Sequence, residues 1–132
     1  MNFIFDRDQL KEMQQIISLY KKFDRYKDGT REDIYYHILP SIKLKQYKTF
    51  KENNEVIAFA NWAYLNDQAE KEYINTGDFN DNAWNSGNKA WVIDVVCKEK
   101  AAKMIHWLRH KFKQVKWLKL NKQSRRIGSK GF

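Results

Sequence analysis

The sequence contains one cysteine, one proline, three histidines and five glycines among 132 residues. A lone thiol, Cys97, cannot close an internal disulfide, which fits a reducing compartment. No apolar run approaches the roughly 20 residues that cross a bilayer. Met1 to Asp8 lacks the basic and apolar regions of a secretory signal. These absences predict a cytoplasmic protein without a membrane span. Glycine is too sparse for a Gly-rich phosphate loop at a helix start, and the run from Arg126 to Gly131 resembles one only superficially. Acidic residues are nearly missing from the last third, where residues 98–132 hold twelve Lys or Arg against Glu99 alone. With a net charge of +9, such an end can attract nucleic acid, an anionic membrane or an acidic protein. No base-reading motif accompanies the charge, so a nucleic-acid-binding protein ranks behind a protein partner.

What is present suffices for a core. Hydrophobic residues make up 42% and aromatic residues 15%, which predicts a globular chain forming one domain over 1–132. The stretch Trp84-Asn85-Ser86-Gly87-Asn88-Lys89-Ala90-Trp91-Val92-Ile93-Asp94 stands out. Asn-Ser-Gly is a turn signal, with Gly87 suited to φ > 0. Trp91 to Val96 reads as a buried central strand, interrupted by one carboxylate, Asp94. A charge there costs several kcal/mol unless it is paired, hydrogen-bonded or opens onto a cleft. Asp94 therefore either serves chemistry or simply holds a neighbouring loop.

Around it the elements follow from spacing. Leu10, Met13, Ile16, Ile17 and Tyr20 recur at helical intervals over Asp6 to Phe23, with Asp6 or Asp8 as cap. Thr30, after the Asp28-Gly29 turn, caps a second helix from Arg31 that Pro40 should bend or end. Gln46 to Lys51 and Val56 to Tyr64 read as a hairpin about Glu52-Asn53-Asn54-Glu55. Asp67 to Asn75 forms a short polar helix stopped at Thr76-Gly77. Lys100 to Phe112 has helical spacing at Ala101, Ile105, Leu108 and Phe112, and Lys116 to Leu120 is a last strand with Trp117 and Leu120 inward. The tail from Ser124 receives no assignment.

The Trp84–Asp94 pattern, W-x-S-G-x-x-x-W-x-I-D, resembles the signature of the RTX toxin-activating lysine acyltransferases. A second block agrees: Leu39-Pro40-Ser41-Ile42, Gln46-Tyr47 and Ala58-Phe59-Ala60-Asn61-Trp62-Ala63 are similar to that family's LPAI, QY and AYxxWA segments. Ser18-Leu19-Tyr20 falls near its Ser-Trp-Leu-Trp. The resemblance covers residues 15 to 113 and implies an α/β (α+β) fold. It implies a single GNAT-like domain, with a central, mostly antiparallel sheet flanked by helices. It also implies transfer of a fatty acyl group from acyl carrier protein, as co-substrate, to lysines of a toxin-like protein acceptor. No tightly bound cofactor and no metal are expected. The loop Lys98 to Ala102 lacks glycine, so coenzyme A itself is the less favoured donor. Acyl carrier proteins are acidic, so Lys103, Arg109, Lys111 and Lys113 become candidate partner-binding residues. A homodimer is also among the partner expectations.

The family pairs an N-terminal histidine with the aspartate of the central strand. The aspartate corresponds to Asp94. Tyr26 occupies the place of the histidine, and His37 stands where the family has an asparagine. Three readings stay open: His37 as general base with Asp94, Tyr26 as proton carrier, or an inactive site that only binds a carrier or partner. Without the resemblance, His37 is a half-exposed helix residue. His106 and His110, four apart without a carboxylate or thiol, fit a solvated helix face better than a metal site. Cys97 reads as a buried structural thiol rather than a nucleophile.

Overall fold

Two capping boxes set the N-terminal half. The Asp6 side chain accepts from the Gln9 amide and opens α1 (Arg7–Tyr20), and the Thr30 side chain does the same with Asp33 for α3 (Arg31–Lys43). A single helical turn, α2 (Asp24–Lys27), lies between them. The computed structural model describes residues 5–120 and 125–130. Pro40 does not end α3, which runs on to Lys43. The bond it withholds is that to the Tyr36 carbonyl, and Tyr36 is exposed, so water can take the place of the missing donor.

Strands β1 (Tyr47–Glu52) and β2 (Glu55–Leu65) form the expected hairpin, but its turn is only two residues long. Asn53 and Asn54 both adopt the left-handed conformation, at φ 53° and 63°, as a type I′ turn requires. Helix α4 (Asp67–Thr76) ends at Gly77 with φ 78°, and a 3₁₀ turn follows at Asp81–Ala83. Strand β3 (Lys89–Cys97), helix α5 (Ala101–Lys111) and strand β4 (Val115–Leu120) come next. A further strand, β5 (Arg125–Lys130), pairs antiparallel with β4, so β4 is not the last strand. The run once comparable to a phosphate loop is therefore extended backbone over most of its length.

The sheet order is β1-β2-β3-β4-β5, and among the described strands only the β3–β4 pair is parallel. This is the mixed, mostly antiparallel sheet flanked by helices expected of a GNAT-like domain. Helices α1 and α3 pack with Val56, Phe59 and Val96 on one face, while Met104 and Leu108 of α5 pack with Ala58, Ala60, Trp62 and Val92 on the other. Sequence spacing groups Ala101 and Ile105 with Leu108 and Phe112 on α5. There Ala101 is exposed and Ile105 is 40% exposed, because the helix turns its Met104–Leu108 stripe to β2.

A third cluster joins α4 to the sheet through Ala63, Leu65, Tyr73, Trp84 and Trp91. Inside it the buried Glu70 carboxylate accepts from Trp91 Nε1 at 2.7 Å and from Lys89 Nζ at 3.2 Å, with Lys116 Nζ at 3.4 Å. Burial by itself would raise the carboxyl, but these donors and the Lys116 and Lys89 charges outweigh it and hold Glu70 below the usual glutamate range. A depressed carboxyl stabilises the fold above its unfolded value, about 4.3, and loses that contribution as pH falls through the lower folded value. Glu70→Gln should therefore cost about 1.5–3 kcal/mol at neutral pH. The gap to the parent in denaturant melts should shrink below about pH 4. A gap that is constant from pH 7 to pH 3 would contradict this assignment.

Candidate active site

Parallel pairing between β3 and β4 is confined to Trp91 with Lys116 and Val92 with Trp117. Where the pairing stops, a cavity of about 570 Å³ opens, lined mainly by Phe23, Val92, Val95, Val96, Ile105, Leu108 and Trp117. Asp94, Tyr26 and Arg109 supply its polar wall. Val95, read from sequence as a core residue, is 38% exposed because it faces this opening.

The side chain of Asp94 is aimed by a local irregularity. Asn61 pairs with Asp94 but Trp62 pairs with Val92, so Ile93 has no partner across the β2–β3 ladder. Such a bulge reverses the alternation of faces. Val92 packs towards α5, whereas Asp94, two residues on, faces α1 and α3. The Asp94 amide donates to the Asn61 side-chain oxygen at 2.9 Å. Asn61 Nδ2 donates in turn to Ser41 Oγ at 3.0 Å, and the Ser41 hydroxyl donates to the Ile38 carbonyl at 2.7 Å. Asn61 and Ser41 are fully buried. They tie β3 through β2 to α3, the helix that carries His37.

Three side chains converge on the carboxylate. His37 Nε2 lies 2.6 Å from Asp94 Oδ2, the Tyr20 hydroxyl donates to the same oxygen at 2.7 Å, and the Tyr26 hydroxyl lies 3.4 Å from Oδ1. An ionised carboxylate only accepts, so His37 carries its proton on Nε2 and, when neutral, leaves Nδ1 as the basic atom. The Asp94 side chain is 7% exposed and that of His37 42%, so the carboxylate is sheltered while the imidazole reaches solvent. The structure thus brings together His37, Tyr26 and Asp94, residues from three separate elements. His37 does not line the cavity itself; Asp94 stands between the two.

The four candidate partner-binding cations divide. Arg109 lines the cavity, whereas Lys103 and Lys111 lie over aromatic rings on another face, at 5.3 Å from Phe50 and 4.9 Å from Trp62. Lys113 is exposed beyond the end of α5. Burial pushes the Cys97 thiol above its ordinary range, against a nucleophilic role. His106 and His110 are exposed, and among the described residues no three His, Cys, Asp or Glu are placed to hold a metal ion. Among the same residues, no helix is long and apolar enough to cross a membrane.

The motif blocks that resembled the toxin-activating enzymes meet in space. Gln46 Nε2 donates to the Trp62 carbonyl at 2.9 Å and to the Trp84 carbonyl at 3.1 Å. The model of the RTX toxin acyltransferase family matches residues 6–129. The chain belongs to the RTX toxin acyltransferase family. The chain is similar to an uncharacterized protein of Synechocystis sp., 32% identical over 129 residues, covering 92% of this chain and 88% of that one. The leukotoxin-activating lysine-acyltransferase LktC of Mannheimia haemolytica serotype A1 is 32% identical over 72 residues, 54% of this chain and 43% of its own. The protein-lysine myristoyltransferase RtxC of Kingella kingae is 27% identical over 88 residues, 66% of this chain and 53% of its own. The chain thus matches about half the length of these named acyltransferases.

Sequence reasoning missed Tyr20, Ser41 and Asn61. Helical spacing alone places Tyr20 among the apolar residues of α1, although a buried tyrosine hydroxyl needs a partner. Ser41 and Asn61 were visible as polar residues inside two otherwise apolar blocks, the same signal that singled out Asp94.

Proposed function

We propose that this protein is a lysine acyltransferase that moves a fatty acyl group from acyl carrier protein to the ε-amine of a protein acceptor. The reading rests on the 2.6 Å contact between His37 and Asp94 beside an apolar cavity. The cavity would take the acyl chain, with the thioester carbonyl near Asp94 and Tyr26. His37 Nδ1 accepts a proton from the incoming lysine ammonium, because only the neutral amine is nucleophilic. The amine nitrogen attacks the thioester carbon and the C–S bond breaks. The nitrogen's remaining excess proton goes to the departing sulfur, leaving an amide and a free thiol. Asp94 stabilises the imidazolium formed on the way. Tyr26, in the place of the family histidine, lines the cavity wall and holds the other carboxylate oxygen. The names of the M. haemolytica and K. kingae relatives, which specify lysine acylation, support the reaction class.

Acidic carrier protein would approach the basic C-terminal third, with Arg109 at the cavity and Lys103, Lys111 and Lys113 adding positive charge on and just beyond α5. Its affinity should fall steeply between 50 mM and 300 mM salt, because exposed charges are screened within about 10 Å at 0.1 M. Acylation itself is read from the intact mass of toxin-like acceptors incubated with the protein and acyl-loaded carrier. Mass gain matching one acyl group per lysine supports the reading. Salt-sensitive carrier binding with no mass gain on any acceptor would make this an inactive carrier-binding module. Tighter binding to DNA than to carrier would replace both with a nucleic-acid-binding function.

A further inference from the structure

Tyr20 occupies a position that a purely structural aromatic would fill differently. It is fully buried on α1, packed edge-on to Tyr26 with ring centroids 4.8 Å apart and against Phe59 at 5.6 Å. Its hydroxyl is the shorter of the two tyrosine contacts to Asp94, 2.7 Å against 3.4 Å. It shares oxygen Oδ2 with His37 Nε2, while Tyr26 is nearest Oδ1. A carboxylate oxygen has two lone-pair directions. With one occupied by a fixed phenol, the imidazole is confined to the other, and its plane and the aim of Nδ1 follow.

We infer that Tyr20 is a positioning residue that fixes the Asp94–His37 pair and lowers the basicity of the carboxylate towards the imidazole. The inference rests on the proposed acyl transfer for its kinetic consequence, but not for its effect on His37. A phenol donating to a carboxylate stabilises its charged form and shares its negative charge. Less charge is then left to hold an imidazolium, so Tyr20 keeps His37 poised to release the proton it has taken up. Being fully buried behind the carboxylate, Tyr20 cannot touch the substrate. Among the described residues, the titratable and charged groups facing His37 and Asp94 include Tyr20 from α1, Tyr26 from α2 and, at the cavity, Arg109 from α5.

The test is Tyr20→Phe, which removes one oxygen and keeps the ring. The His37 titration midpoint, followed by NMR of the labelled imidazole, should rise by about 0.5–1 unit as the carboxylate becomes more basic. In the acylation assay kcat should fall about tenfold with KM nearly unchanged, as for other partners that orient a working histidine. A merely structural tyrosine would lower the melting temperature and leave both the midpoint and kcat in place. A folded Tyr20→Phe protein with an unmoved His37 midpoint overturns the proposal. Site-specific 3-fluorotyrosine at position 20 covers the case in which Tyr20→Phe fails to fold. Fluorine makes the phenol a stronger donor, so the His37 midpoint should move down, and a midpoint that stays or rises overturns the proposal. If the unmodified protein transfers no acyl group, the proposed reaction fails while the NMR shift still decides the role of Tyr20.

Discussion

Replacing His37 by alanine should lower acyl transfer by about 10²–10⁴, the usual cost of losing a general base. The fold should survive, because the His37 side chain is 42% exposed, so little buried packing is lost with it. Asp94→Asn should be comparably severe. The amide has one accepting oxygen in place of two, while Tyr20, His37 and Tyr26 all present polar atoms to the carboxylate. Its missing charge also leaves the imidazolium without a counter-ion. Tyr26→Phe should cost under about tenfold, since at 3.4 Å its contact is too long for a strong hydrogen bond even to a carboxylate. Initial rates of lysine acylation for the three variants decide the assignment. Inactive Tyr26→Phe together with active His37→Ala would move the base to Tyr26, which the resemblance puts in the place of the family histidine.

Gly87→Ala should unfold the protein or lower its melting temperature by about 10 °C or more. A Cβ at this position would stand 2.5 Å from the Leu65 carbonyl and 2.6 Å from the Asn66 nitrogen and Cα. All three are backbone atoms, so no side-chain rotation relieves the clash. Overpacking of this kind costs about 3 kcal/mol or more, out of a total stability of about 5–15 kcal/mol. For a domain of this size each kcal/mol corresponds to about 3–4 °C. The Ser86 and Gly87 amides both donate to the Tyr64 carbonyl, so a displaced turn would also loosen the strand that leads to Asp94. Thermal melts of Gly87→Ala within about 2 °C of the parent would show that the backbone can yield there. The glycine is needed for close approach and not, as the turn signal suggested, for a positive φ: among the described glycines only Gly77 has one.

Much of the fold was written locally. Asp6 and Thr30 opened the helices they were expected to cap, Gly77 closed α4, and the apolar runs of β2 and β3 became the centre of the sheet. Local signals were weaker where competing geometries share one pattern. Residues Glu52 to Glu55 fit either a four-residue or a two-residue turn, and the left-handed preference of the two asparagines decided for the shorter one. On α5 a stripe beginning at Ala101 and one through Met104 have the same period, and only the packing surface of β2 chose between them.

For the site, sequence by itself picked out the candidates: Asp94 as a lone carboxylate in an apolar strand, His37 as a titratable group on a helix, and Tyr26 where the resemblance puts the family histidine. Tertiary structure alone decided that they meet. Strict alternation from Val92 would have turned Asp94 towards α5, away from both aromatic partners. The bulge at Ile93 reverses that, and it exists because Asn61 can accept the amide that the ladder leaves over. A bulge is a matter of register between two strands, and register is set by pairing across the sheet rather than by either strand alone. The phenol of Tyr20 was likewise indistinguishable from an ordinary core aromatic until 74 residues of chain folded back to place Asp94 against it.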